Sequence, residues 1–216
     1  MYFCDDVDLM VWEPGIFGAS AFGHQALVKG VAGTLTGTAL TTETDLLGAL
    51  APGMVVRAEG GSASQLLEVT AVADGRHATA SALRGRVDEP PLPGLVSGSV
   101  TVTVASFRPQ IAAVGDELLA LVGVTSDRGE AGATVERPRG FRMACVLGAL
   151  AAIFRVLAAA EGATAGDAAK RGFYEKAYAD VRRGVSGKVC GHMVRGATGE
   201  LVREQTSQTV QAKIEI

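Results

Sequence analysis

Between Val100 and Val124 the chain changes its period. Val100, Val102 and Val104 alternate with polar residues, the two-residue repeat of a strand with one buried face. From Ile111 onward the apolar positions Ile111, Val114, Leu118 and Leu121/Val122 fall three or four apart, the repeat of a helix. The change is completed within Ser106-Phe107-Arg108-Pro109. Serine is a capping residue, and proline is tolerated in a first helical turn, where its missing N–H is not needed. Gly123 stops the helix.

The same alternation recurs upstream. Segments 33–41, 54–60, 66–73, 77–84 and 99–106 read as short strands, separated by Ala51-Pro52-Gly53, Gly60-Gly61-Ser62, Asp74-Gly75 and the proline-rich stretch 88–98. Asp-Gly between two alternating runs is a specific hairpin signal. Segment 45–50 reads as one helical turn between strands. Five short strands with little helix predict a small barrel or a two-layer sheet. Ahead of them, 5–12 is a helix capped by Asp5 or Asp6 and ended by Glu13-Pro14-Gly15, and 24–29 reads as another helical turn.

Downstream, 125–134 reads as loop, and Pro138 starts a second helix running to about Ala160. Its small residues Ala144, Gly148, Ala151 and Ala152 allow close helix–helix approach. Asp167 opens a third helix to about Arg183, with Tyr174, Ala177, Tyr178 and Val181 as its apolar stripe. Segments 188–195 and 200–216 return to strand character around Gly196-Ala197-Thr198-Gly199, a hairpin whose long second arm is polar. Such an arm either pairs with a sheet edge on another chain or frays. The expected fold class is α+β: a helical bundle with an inserted small β-barrel-like module and a C-terminal β-hairpin or extended arm. Its parts are 1–30 (N-terminal helical segment of the bundle), 31–106 (the inserted β module), 107–185 (the bundle) and 186–216 (the hairpin or arm). On this plan the abrupt change at Ser106 is the chain re-entering a helical domain that it left near Val31.

Composition narrows the function classes. The 216 residues suffice to bury a core without disulfide or metal staples. Hydrophobic residues make up 48% and aromatics 5%, with a mean hydropathy of +0.25. The surplus fits either a surface covered by other chains or a genome rich in Ala, Gly and Val codons. A net charge of −3 gives no electrostatic footprint for nucleic acid. The densest basic cluster, Arg137-Pro138-Arg139-Gly140-Phe141-Arg142, reads as a solvated helix start or a contact for an acidic partner. Cys4, Cys145 and Cys190 are too few and too far apart for a disulfide framework or a zinc site, which fits a reducing compartment. Acidic residues stand where a signal peptide needs basic ones, and the apolar run 145–160 is interrupted by Arg155. A soluble protein is expected.

Motifs for chemistry are sparse. "GVAGTLTG" (30–37) is glycine-rich but lacks a lysine and leads into a strand, unlike a phosphate loop. Cys190 and His192 share a strand face with no second pair nearby, so ordinary packing accounts for them. There are only three histidines, His24, His77 and His192, and no G-x-S-x-G elbow. His77 follows a predicted turn and is expected to be exposed. The carboxylate groups Asp5/Asp6/Asp8 and Asp116/Glu117 sit at a helix start and on a helical face, where capping and solvation explain them. No catalytic, cofactor-binding or metal-ligating residue is assigned, no cofactor is implied, and the expectation is a protein that is not an enzyme.

"DDVDLMVWEPGIF" (5–17), the β module, "FRPQIAAVGDELLALVGV" (107–124), the Ala-rich helix and "FYEKAYADVRRG" (173–184), taken in order, resemble the head–tail connector proteins of tailed phages, of the adaptor (head-completion) type. The shared marks are the Asp-Leu near the start followed by Glu-Pro, the Pro-Gln-Ile helix start and the closing Tyr-rich helix, and together they cover most of the chain. In the final turn this chain has "GATGE" (196–200) where relatives are richer in Asp, so no cation site carries over. The resemblance implies a structural virion protein, made in the bacterial host cytoplasm and placed at the neck. It implies a homo-oligomeric ring, commonly a dodecamer, with the portal protein above and a stopper, tail-terminator or tail-tube protein below. DNA would pass through the lumen unread, which suits a mildly acidic chain, and no membrane is involved. The C-terminal arm would be the docking element. The rival expectations are another phage component (a tail terminator or decoration protein), a non-viral ligand-binding β-module protein, and a hydrolase with an unrecognised site that depends on His24, His77 or His192.

Overall fold

The computed structural model describes residues 3–121, 134–135, 139–187, 192–195 and 201–205. The chain is mixed α and β, and it divides into two compact units: Asp5–Arg108, and Met1–Cys4 with Pro109–Ile216.

The first unit is built on a closed antiparallel barrel of six strands: β1 (Ala26–Thr36), β2 (Ala39–Thr42), β3 (Val55–Gly60), β4 (Ala63–Val72), β5 (His77–Ser81) and β6 (Gly98–Ala105). Their order around the barrel is β1-β2-β5-β4-β3-β6. Alternation drives closure. Val100, Val102 and Val104 on β6 point inward with Val56 and Ala58 on β3, Leu67 and Val69 on β4, and Leu35 and Leu40 on β1 and β2. Each fully buried Leu or Val contributes about 1.5–3 kcal/mol over leaving it in water, and closure leaves no unpaired strand edge.

Several expectations change here. Segment 33–41 is not one strand. Gly37, at φ +61°, makes a two-residue turn with Thr38, and Thr36 pairs with Ala39 across it. The left-handed backbone that this turn requires is open to glycine at no steric cost, which is what the periodicity concealed. The helical turn predicted at 24–29 does not form: Ser20–Gln25 is a 3-10 helix, and 26–29 already belong to β1, which begins at Ala26, five positions ahead of the expected module boundary. The Asp-Gly hairpin forms between β4 and β5, and a 3-10 turn lies at Leu47–Ala49.

The N-terminal segment also departs from the plan. Helix α1 (Asp6–Trp12) carries a reciprocal capping box between Asp5 and Asp8, and Glu13 ends it ahead of Pro14. Yet 5–30 belongs with the barrel unit, and only Met1–Cys4 group with the helices. The reason is where its side chains go. Phe17 and Phe22 meet the fully buried Phe107 edge-on, at ring-centroid distances of 5.2 and 5.0 Å. Asp6 accepts hydrogen bonds from the Ser106 hydroxyl (2.7 Å) and the Phe107 N–H (2.8 Å). Ser106 Oγ in turn accepts from the N–H of Arg108. The strand-to-helix change is therefore held by the first turns of the chain.

In the second unit lie α2 (Arg108–Leu121), whose first residue still counts with the barrel, α3 (Arg139–Leu157) and α4 (Ala165–Gly187). Ile111, Val114 and Leu118 are buried, as their spacing predicts. α3 buries residues on most of its faces, from Ala144 to Ile153. Gly148 is where it is approached most closely: a Cβ there would lie 2.6 Å from Val114 Cγ1 and 2.8 Å from the Tyr178 ring. Phe3 packs on Phe141, and Phe154 stacks on Tyr174. Tyr178 donates to Glu117 (3.0 Å), which also pairs with Arg182 (2.7 Å), tying α2 to α4. Burial and the carboxylate hold the Tyr178 hydroxyl well above its ordinary pKa.

A small antiparallel sheet in the order β7-β8-β9 joins Thr134–Val135, His192–Arg195 and Leu201–Gln205. The last two pair antiparallel within the predicted strand segments 188–195 and 200–216. Thr134, expected as the end of the loop 125–134, instead forms a short third strand with Val135, which supplies β8 with a partner on its other side. The remainder of the predicted arm, 206–216, lies outside the described residues.

Candidate functional site

The barrel carries one long connection, between β5 and β6, and its sequence, "ALRGRVDEPPLPGLVS" (82–97), mixes exposed apolar residues with three prolines. Its backbone is fastened at three places. At its start, the β4 residue Glu68, which pairs in register with Ser81, takes Arg84 in a two-pronged ion pair: Nη2 to Oε1 at 2.6 Å and Nε to Oε2 at 3.2 Å. Both side chains are almost out of water, at 8% and 10% exposure. The remaining Arg84 nitrogen, Nη1, donates to the carbonyls of Val87 and Glu89, each at 2.7 Å. One guanidinium thus uses its fork to fix a turn. Its hydrogen bonds to Glu68 hold it above its usual pKa.

In the middle, Ala82 and Leu92 form an isolated bridge, and the Leu92 N–H donates to Ser81 Oγ (2.8 Å). At the end, Gln65 Oε1 accepts from the N–H of Leu95 (2.6 Å), and Val96 inserts into the barrel core. Gly94 passes so close to Gln65 that a Cβ would lie 2.7 Å from Oε1.

These anchors hold apolar side chains out in solvent. Leu95 is 93% and Val87 79% exposed, and Leu83 and Leu92 are nearly half exposed. Single exposed apolar residues are ordinary on a protein surface; four on one loop with buried polar anchors are not. A loop whose conformation is fixed beforehand loses little entropy on docking, and apolar tips are what a protein interface buries at its centre. The loop's charged groups are engaged: Arg84 with Glu68 out of water, Arg86 with Asp88 in solvent (3.0 Å), and Glu89 with the N–H of Gly85.

A second feature lies on the outer face of the barrel. The register places Thr41, Thr34 and Ser99 in one cross-strand row and Ala32, Thr101 and Glu59 in the next. They line an open groove of about 660 Å³ with Glu43 at its rim. Its floor is low because the side chains facing it are small; Gly33 alternates onto the inner face, where a Cβ would lie 2.8 Å from the carbonyl of Thr41 and 3.3 Å from Val102 Cγ2.

The residues that the sequence singled out are dispersed. His24 is exposed in its 3-10 turn, and His192 lies in β8. His77 is exposed as expected; its Nδ1 meets Asp74 at 2.8 Å in the β4–β5 turn. Asp74 also accepts from the N–H groups of Arg76 and His77, and these bonds, the Arg76 one foremost, lower its pKa. The pair is a turn device. Asp116 is exposed, whereas Glu117 is engaged by Tyr178 and Arg182. Cys190 lies outside the described residues. Among the described residues no three His, Cys, Asp or Glu side chains are placed to hold a metal ion, and no helix is long and apolar enough to cross a membrane.

The expectation of simple capping for Asp5, Asp6 and Asp8 needs correcting at one position. Asp5 and Asp8 cap, but Asp6 is buried, and its desolvation raises its pKa to about 6 against the lowering effect of Ser106 and Phe107. The signal was present: three acids crowd a helix start that a capping box satisfies with two. Arg84 and Glu68 were missed altogether, because their partnership joins positions far apart in the chain.

Comparison with protein-family models, with curated proteins and with solved structures returns no match for this chain.

Proposed function

We propose that this protein is a structural component of a phage virion, a head–tail adaptor that assembles as a ring between the portal and the tail and lets DNA pass. The observation that carries this reading is the pre-organised loop of the barrel unit. Leu95 and Val87 stand in water on a backbone fixed by Arg84, Ser81 and Gln65, as a surface made for another protein rather than for a substrate. The order of the sequence motifs, from the acidic helix start at Asp5 to the Tyr-rich helix, supports the same reading. So does the net charge of −3, which would not retain DNA in a lumen. The bundle-like packing of the three long helices and the C-terminal arm belong to this proposal as the elements that would meet neighbouring copies and rings.

Deletion of the gene tests it. An adaptor knock-out accumulates DNA-filled heads and unattached tails, seen by electron microscopy, and a labelled copy restores particles with density at the neck. Complete infectious particles without the protein would overturn the reading. The runner-up, a ligand-binding β module outside any virion, has the groove around Thr34, Thr41 and Ser99 in its favour. It predicts a gene flanked by no terminase, portal or capsid frames.

A further inference from the structure

Asp6 occupies an unusual place. It is 1% exposed, and its two acceptor bonds go to Ser106 and Phe107, about a hundred residues away in sequence. The chain passes between its two units at Cys4–Asp5 and at Arg108–Pro109. Asp6 stands beside the first passage and Ser106–Phe107 beside the second, so one side chain ties the two within the barrel unit. Around it, Phe17 and Phe22 cover Phe107, and Val7 donates its N–H to the carbonyl of Gly53 (3.2 Å). Residues 5–25 thus form a clasp over the strand-to-helix change, and a carboxyl group is its buried pin.

A carboxyl group is a costly choice for this position. Its two partners would be served by a neutral amide, whose oxygen would accept from Phe107 and whose N–H would donate to the Ser106 hydroxyl, and burial penalises the ion more than either bond repays. The charged groups set against it are Arg108, at the head of α2, which favours ionisation, and Asp5, from its own helix start, which opposes it with a smaller effect; burial outweighs both. We infer that the clasp formed by residues 5–25 is a pH-responsive element: it is closed most firmly when Asp6 is protonated and loosens as Asp6 ionises.

The sign follows from linkage. Asp6 in the closed clasp holds its proton up to about pH 6, against 3.8 for an exposed carboxyl. Well below pH 3.8 both states are protonated and the closed state has its full advantage. Between pH 4 and 6 the open state ionises first, so the advantage falls as pH rises, and above pH 6 the loss is constant. Two pH units of offset correspond to about a hundredfold rise in the opening equilibrium, at tenfold per unit.

Hydrogen exchange on the full chain reads this directly. After correction for intrinsic exchange rates, the protection of the Phe107 and Val7 amides is expected to fall about a hundredfold from pH 4 to pH 7.5, while that of core barrel amides such as Val102 falls far less. In Asp6→Asn, which keeps an acceptor for Phe107 and a donor for Ser106, the Phe107 profile is expected to be flat. A wild-type profile as flat as that of the variant, or a fall shared equally by Val102, overturns the inference. If the variant does not fold, a carboxyl-carbon NMR titration of Asp6 in the wild type decides: a midpoint near 6 upholds it, and one near 4 overturns it.

Discussion

Arg84→Met tests whether the apolar loop is held by the buried ion pair or merely carries it. The substitution removes four hydrogen bonds, two to Glu68 and two to the carbonyls of Val87 and Glu89. It also leaves the Glu68 carboxylate at 10% exposure with no cation. Breaking a buried pair from one side costs about 3–5 kcal/mol, against about 0–1 kcal/mol for a pair in solvent. A domain of this size has about 5–15 kcal/mol in all, so the loss should bring the urea midpoint down by about a fifth or more. The double variant Glu68→Leu/Arg84→Met removes the stranded charge. It should recover most of that loss in a double-mutant cycle, since apolar replacement of a buried pair is often neutral. The carbonyls of Val87 and Glu89 stay without their donor in both variants, so the loop should loosen in both. Trypsin cleavage after Arg86 under native conditions reports that loosening, and should be slow in the wild type and fast in both variants. A loss below about 1 kcal/mol for Arg84→Met would mean that the pair behaves as an exposed one. An unchanged cleavage rate would mean that the prolines alone hold the loop. Either result refutes the anchoring argument.

Three further outcomes are expected. Leu95→Asp with Val87→Asp should leave the unfolding free energy from urea melts within about 0.5 kcal/mol of wild type, because both side chains are solvated; if the loop is a docking surface, the pair should abolish incorporation into particles in a complementation assay. Gly148→Val should destabilise the helical unit by about 1–3 kcal/mol or more, because its side chain would run into Val114 and Tyr178, and thermal melting followed by circular dichroism checks it. Asp6→Ala should cost about 1–3 kcal/mol at pH 4 by leaving the Phe107 N–H buried without an acceptor, and less at pH 7.5, where the wild type already bears the cost of a buried charge; urea melts at the two pH values give the difference.

Why some of this was legible in the chain and some was not is a matter of range. Period and capping are local properties. The strands at 54–60, 66–73 and 99–106, the Asp-Gly hairpin and the stripe Ile111, Val114, Leu118 could all be read because each residue's burial is set by its neighbours in the same element. Gly37 defeated the same reading because a tight turn preserves the alternation on both sides of itself, so the hairpin looked like one strand. The grouping of 5–30 with the barrel was out of reach for a different reason. It rests on Phe17, Phe22 and Asp6 meeting Phe107, contacts across about 85 to 101 residues that leave no periodic trace. The candidate site was hidden in the same way. Leu95 and Val87 can be seen as apolar residues in a proline-rich loop, but what turns them into a presented surface is Arg84 reaching Glu68 on β4 and Gln65 reaching Leu95. A lone arginine in a loop is usually solvated, and a lone glutamate in a strand usually faces water. Burying both is tolerable only as a pair, and the pair exists only after the barrel has closed and set β4 beside the loop. The loop's shape is thus a consequence of the closed barrel, and a variant that prevents closure should disorder 84–97 before it disturbs either helix of the Phe154–Tyr174 contact.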